Sequence, residues 1–139
     1  MGVCLTSRKS NYAFNMGYRG FHCLRTNICS AFDKELGKAY DDTYLALTNP
    51  NEYNKRINKI LNDNRFKEED EDLLDFLFAS DCGGKCNYKV ARKIYNLIKN
   101  IEFNEETFTY KVHSNKKDYE SFKEFLKECY QKRRTIIWY

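Results

Sequence analysis

Proline is almost missing from this sequence, with one residue in 139, and glycine is scarce at six. Collagen-like and linker-like chains need both in quantity, so those classes are excluded. No apolar run approaches the roughly 18–20 residues that cross a bilayer, and no membrane partner is expected. The opening MGVCLTSRKSNYAF lacks the apolar core of about 7–15 residues that marks a secretory leader, so none is expected. Met1-Gly2 with Thr6 has only the outline of a myristoylation site, a short and common pattern. Histidine occurs twice, at His22 and His113, which leaves few ways to build a nucleophile–histidine pair. Present in quantity are hydrophobic residues (42%) and aromatics (16%), enough for a packed core, so a fully disordered chain is excluded. The length suits a single compact domain spanning residues 1–139.

Six cysteines have three competing readings: a disulfide scaffold, a zinc site and ordinary thiols. A secreted disulfide scaffold would come with a leader and a smaller core, so reduced thiols and an intracellular protein are expected. Zinc favours C-x₂₋₄-C pairs that aim two thiolates at one ion. Cys82 and Cys86 have that spacing, but no second pair follows. Cys23 and Cys29, with His22 adjacent, are spaced too widely. Ordinary buried thiols, no metal and no cofactor are the expectation.

The net charge of +4 conceals a segregation. Residues 41–81 carry a net −6, whereas residues 82–100 hold five basic and no acidic side chains. Such banding predicts one acidic and one basic face, and a basic face attracts nucleic acid, nucleotides or acidic proteins. Solubility alone is the competing explanation.

Periodicity predicts an α+β fold, mostly α, with about five helices and a small antiparallel sheet of two or three strands. The first helix is expected over Tyr18–Tyr40, with Phe21, Leu24, Ile28 and Phe32 as its core stripe and Gly37 near its C-terminal end. Asn49-Pro50, with Glu52 behind, starts the second, buried through Tyr53, Ile57, Ile60 and Leu61. Acidic residues open the third, where they complement the helix dipole, and Leu73, Leu74, Leu77 and Phe78 turn inward. Ser80 to Asn87 reads as a turn. Asn87 then caps a fourth helix to about Asn100, with Val90, Ala91, Ile94, Leu97, Ile98 and Ile101 apolar. TFTYKVH (107–113) alternates as a strand. A fifth helix runs from about Lys117 to Arg134, with Tyr119, Phe122, Leu126 and Cys129 on one side. TIIWY reads as a last strand, and its pairing with 107–113 is expected. VCLTS and YAF are strand candidates near the start.

Three stretches, MGYRGFHCLRTNICSAFDKELGKAY, DFLFASDCGGKCNYKVARKIYNLIKN and FKEFLKECYQKRRTIIWY, together resemble a group of small uncharacterised proteins from phages and prophages of low-GC Gram-positive bacteria. The resemblance covers nearly the whole chain. It implies no catalytic residues, and it implies a small viral protein that works by binding, as counter-defence sponges and inhibitors of host enzymes do.

Three places can hold an anion. On a helical wheel with Tyr18 at the origin, Phe32, Arg25, Cys29, His22 and Tyr40 fall within about 40°. A half-buried guanidinium demands an anion or a set of acceptors. The functional reading is a pocket with Arg25 as clamp, His22 as donor and Tyr18 as stacking surface. The competing reading is an internal ion pair of Arg25 with Glu35 or Asp75. Next, Gly83, Gly84 and Lys85 precede a basic helix containing Arg92, and a helix N-terminus with close-approaching backbone suits phosphate. The segment departs from a Walker A loop, lacking its first glycine and placing Cys86 where a hydroxyl belongs. A plain turn is the alternative. Last, Lys132, Arg133 and Arg134 lie beside Trp138 and Tyr139, a pairing that can neutralise phosphates and stack bases; a cation-rich helix C-terminus explains the charges equally. Catalysis has little to build on: a Cys–His pair, for example Cys4 or Cys129 with His113, is possible in principle, but nothing local marks a nucleophile.

These residues predict a non-enzymatic binding protein of phage or prophage origin that sequesters an anionic small molecule such as a signalling nucleotide. An inhibitor that binds a host or phage protein through an aromatic surface is the first alternative, and a nucleic-acid-binding protein the second.

Overall fold

The computed structural model describes residues 3–7, 13–16, 18–45, 50–80, 82–101 and 116–139. Two strands, β1 (Val3–Ser7) and β2 (Ala13–Met16), precede helices α1 (Tyr18–Phe32), α2 (Lys34–Leu45), α3 (Pro50–Leu61) and α4 (Glu71–Phe78). A third strand, β3 (Gly84–Cys86), leads into α5 (Tyr88–Ile98), and α6 (Lys116–Gln131) leads into β4 (Ile136–Trp138). The expected mostly helical α+β class with a small antiparallel sheet is therefore what the chain adopts. The anticipated strand at 107–113 lies outside the described residues.

The sheet has the order β2-β1-β4-β3, every neighbouring pair antiparallel. Both β1 and β3 pair with β4, so its register creates rows across three strands. Leu5, Trp138 and Gly84 form one row, Thr6, Ile137 and Lys85 the next, and Ser7, Ile136 and Cys86 the third. Successive side chains point to opposite faces. Val3, Leu5, Ile136, Trp138 and Cys86 are thus buried, whereas Ile137, Lys85 and Tyr139 are exposed. The buried face shares one core with Phe21 and Ile28 of α1, Leu73, Phe76 and Leu77 of α4, Val90 and Ile94 of α5, and Phe125 and Leu126 of α6.

The single long first helix divides at Asp33. The Asp33 carboxylate accepts the backbone N–H of Leu36 at 3.0 Å, which caps a new helix. Gly37 accordingly lies in the first turn of α2 rather than at a C-terminus. A Cβ there would stand 2.6 Å from Ser30 Cα, so glycine is what lets α2 fold back onto α1. The stretch anticipated as a turn after Ser80 contains β3. It passes beneath Trp138: a Cβ on Gly84 would lie 2.2 Å from Trp138 Cζ2. A strand of three residues has no local signature, because its partner β4 is at the other end of the chain.

Two helix faces differ from the expected pattern by one position. Phe76 rather than Phe78 joins Leu73 and Leu77 in the core, and Phe78 is 36% exposed. Spacings of three and four select 73, 76 and 77 as one face of so short a helix. Ile101 is also exposed, lying beyond the end of α5. Elsewhere the expectations hold: α3 starts at Pro50 with Ile57 and Ile60 buried, and Asn87 Oδ1 accepts the N–H groups of Lys89 and Val90 at 2.9 and 3.2 Å. Asn49 and the Tyr53 side chain lie outside the described residues.

Replacing Gly84 by alanine is expected to cost about 1–3 kcal/mol, the range for overpacking a tight core contact. Urea unfolding followed by the fluorescence of Trp138, the one tryptophan, measures this. An unchanged midpoint would show that the indole does not depend on a bare Cα.

Candidate functional site

Arg25 is buried to 1% exposure, and its surroundings are aromatic. Its guanidinium carbon lies 4.0 Å from the Phe21 ring centre, 5.4 Å from that of Phe76 and 5.8 Å from that of Trp138. Arg25 Nη1 donates to the Ala79 carbonyl at 2.7 Å, and Trp138 Nε1 donates to the Ser80 carbonyl at 2.9 Å. Two side chains from opposite ends of the chain thus bind the carbonyls of the two residues that follow α4. Neither acid considered as an ion-pair partner is there: Glu35 bonds Arg65 at 2.9 Å, and Asp75 is exposed.

His22, three residues before Arg25, faces elsewhere. Its ring stacks on Tyr40, with centroids 4.8 Å apart and 12° between planes, and its Nε2 is 4.0 Å from Asp41 Oδ1. Tyr40 in turn meets Phe78 edge-on at 5.5 Å. The common arc on the helical wheel therefore divides into two environments, Arg25 towards the sheet and His22 towards α2. Tyr18 opens α1, and its side chain lies outside the described residues.

The segment 83–87 already has close neighbours. The Trp138 ring fills the space above Gly84, and Asn87 takes the first N–H groups of α5. Gly83 and Lys85 are exposed. A phosphate at this helix start would meet Lys85 and other side chains rather than an open backbone cradle.

The exposed charge lies along α5. Lys89, Arg92, Asn96 and Lys99 are exposed at spacings of three or four, so they share one face. No acid occurs between Cys82 and Asn100. The acidic neighbour α4 reaches one α5 cation: Lys93 Nζ bonds Asp72 Oδ1 at 2.6 Å and the Glu69 carbonyl. Among the described residues, no carboxylate pairs with Lys85, Lys89, Arg92 or Lys99.

The C-terminal basic cluster separates in the same way. Arg134 and Lys132 both reach Glu128 Oε1, at 2.7 and 3.4 Å. Arg133 is exposed and lies 5.9 Å over the Tyr88 ring at the start of α5. Trp138 is buried and so is no stacking platform, whereas Tyr139 is 64% exposed. Lys89 and Arg133 thereby join Lys85 and Arg92 on one basic band. Sequence spacing pointed to the α5 members, but only the end of α6 brings Arg133 to them.

The cysteines do not gather. Cys82 is exposed while Cys86 faces the core, and among the described residues no three His, Cys, Asp or Glu side chains converge as a metal site. Burial, with Asp33 nearby, pushes the Cys29 thiol up to about 12; burial, with Cys129 and Asp72 nearby, does the same for Cys86. Cys129 is raised as well, chiefly by burial. His113 lies outside the described residues. No helix among the described residues is long and apolar enough to cross a membrane. Comparison with known protein families, with curated proteins and with solved structures finds no match for this chain.

Arg25→Ala is expected to lower stability by about 3–5 kcal/mol, the cost of stripping a buried charged network. Arg25→Lys is not expected to restore it, because an ammonium cannot stack as a flat guanidinium does. Chemical denaturation of both variants tests this; a native-like midpoint combined with loss of anion binding would return Arg25 to a ligand site.

Thiol titration without reductant is expected to count six thiols in the unfolded chain and, in the folded one, a fast reaction at Cys82 that Cys82→Ser removes. Fewer than six would reveal a disulfide or a bound metal. The raised thiols also set a pH dependence. Folding holds Cys29 and Cys86 protonated near 12 against an ordinary value of 9.0. Their contribution is therefore intact below pH 9 and is lost as pH rises towards 12. Urea midpoints measured on either side of pH 9 should fall only on the alkaline side.

Proposed function

We propose that the protein is a non-enzymatic binding protein of phage or prophage origin, acting in the host cytoplasm, whose ligand is an extended phosphate polyanion, a nucleic-acid strand. The observation that carries this reading is the row Lys85, Lys89, Arg92 and Lys99, exposed and without a carboxylate partner among the described residues. A cation held by an acid is already neutralised, as Lys93 is by Asp72; these four retain their attraction for phosphate. Set along α5 and on the strand that leads into it, they suit a ligand with repeating charges better than a single small anion. A small-anion pocket has less support, since Arg25 lies in an aromatic core and Trp138 and Asn87 occupy the backbone before α5. Binding is favoured over thiol catalysis because the buried thiols are raised, the reverse of an activated nucleophile. The resemblance to small phage and prophage proteins supports a counter-defence setting.

The test is a salt titration of oligonucleotide binding. Wild-type affinity should fall steeply with salt, and Lys89→Glu with Arg92→Glu should weaken binding and flatten the slope by roughly 0.7–0.9 per contact removed. Lys59→Glu, on an exposed position of α3, should leave both nearly unchanged. Salt-independent binding, or equal losses for all three reversals, would overturn the reading.

A further inference from the structure

Arg133 occupies a position that ordinarily belongs to glycine. Its φ is 53°, in the left-handed region. The end of α6 explains why that conformation is required. The Arg134 N–H bonds the Cys129 carbonyl at 2.8 Å, and the Arg133 N–H bonds the Tyr130 carbonyl at 3.4 Å. That pair of bonds is a Schellman closure, whose left-handed residue is usually glycine because a Cβ is strained there. Arginine at this position gives up stability, and strain of this kind concentrates where a side chain has work to do. Its guanidinium extends over Tyr88, at the end of α5 where Lys89 lies.

Beyond this end of the basic band the outer face of the sheet begins. The register sets Lys85, Ile137 and Thr6 side by side on that face. Tyr139 follows two rows on, and so on the same face, paired with Cys4 through bonds of 2.8 and 3.2 Å. Ile137 is 36% and Tyr139 64% exposed. Cations thus lead directly onto an open surface with an aromatic ring. Bases of a duplex are stacked on each other and cannot use such a ring; bases of a single strand can.

We infer that the ligand is single-stranded: its phosphates follow Arg92, Lys89, Arg133 and Lys85, and a base stacks on Tyr139 at the open face of the sheet. This rests on the polyanion reading above and adds to it the strandedness, the path and the role of Arg133.

Binding of a labelled oligothymidylate, of a duplex of equal length and of inorganic polyphosphate as competitor tests the inference. Tyr139→Ala should weaken single-strand binding about tenfold or more while leaving the duplex and polyphosphate unaffected. Arg133→Gly should raise the urea midpoint, because the left-handed strain is removed, and yet weaken single-strand binding and lower its salt slope. Wild-type behaviour of Tyr139→Ala, or equal losses on all three ligands, would overturn the stacking role. Full affinity in a stabilised Arg133→Gly would overturn the role of Arg133. Equal wild-type affinity for single strand and duplex would sink this inference and leave the polyanion reading standing. Displacement by polyglutamate as effectively as by DNA would instead indicate an acidic protein partner and overturn both, as would the absence of any salt-dependent nucleic-acid binding.

Discussion

The chain's exit from α4 is held by two donors. Arg25 reaches back to the Ala79 carbonyl and Trp138 to the Ser80 carbonyl, across 54 and 58 residues of sequence. Both bonds sit in one aromatic group, in which Trp138 meets Phe76 edge-on at 5.4 Å and Phe21 at 6.4 Å. A buried guanidinium is costly unless its charge is met, and ring faces and a carbonyl contribute to that here. The same group joins α1, α4, β3 and β4 within the larger core. Gly84 belongs to it by what it lacks, since the indole occupies the space of a side chain.

That arrangement determines where charge can act. The cation best placed on the first helix for an anion is enclosed in the core, while the helix that follows β3 presents its cations outward. α5 packs on α6 and α1 through Val90, Ala91, Ile94 and Ile98, which leaves the opposite side to Lys89, Arg92, Asn96 and Lys99. Acidic α4 lies beside it, yet the geometry of that contact brings a carboxylate to Lys93 alone among these cations. The acidic and basic bands of the sequence therefore remain largely distinct surfaces instead of cancelling. Elsewhere charge is consumed internally: Arg65 is held by Asp33, Glu35 and Asp63 at 2.8, 2.9 and 3.2 Å, fixing the segment after α3 to the start of α2.

Much of this was legible in the residues themselves. Pro50 began a helix and Asn87 capped one, because those signals act within a few residues. The strand candidate VCLTS became β1, and the apolar positions Val90, Ala91, Ile94 and Ile98 of α5 and Tyr119, Phe122, Leu126 and Cys129 of α6 are buried. The candidate site was half legible. Lys85 and Arg92 were identifiable from their place in an acid-free stretch, but Arg25 and His22, close on a helical wheel, turned out to have different neighbours. A wheel describes direction around one axis and carries no information about which element stands opposite.

The sequence by itself determined the class of fold, the positions of most helices and the segregation of charge, since each follows from periodicity, capping and composition over short spans. Tertiary structure decided the break at Asp33, the strand at Gly84–Cys86, the exchange of Phe78 for Phe76 in the core and the arrival of Arg133 beside Tyr88. The strand and the place of Arg133 depend on groups brought together from distant parts of the chain. Whether Gly84 is a turn or a strand is settled by an indole 54 positions later, and no local pattern around residue 84 can encode that indole's place.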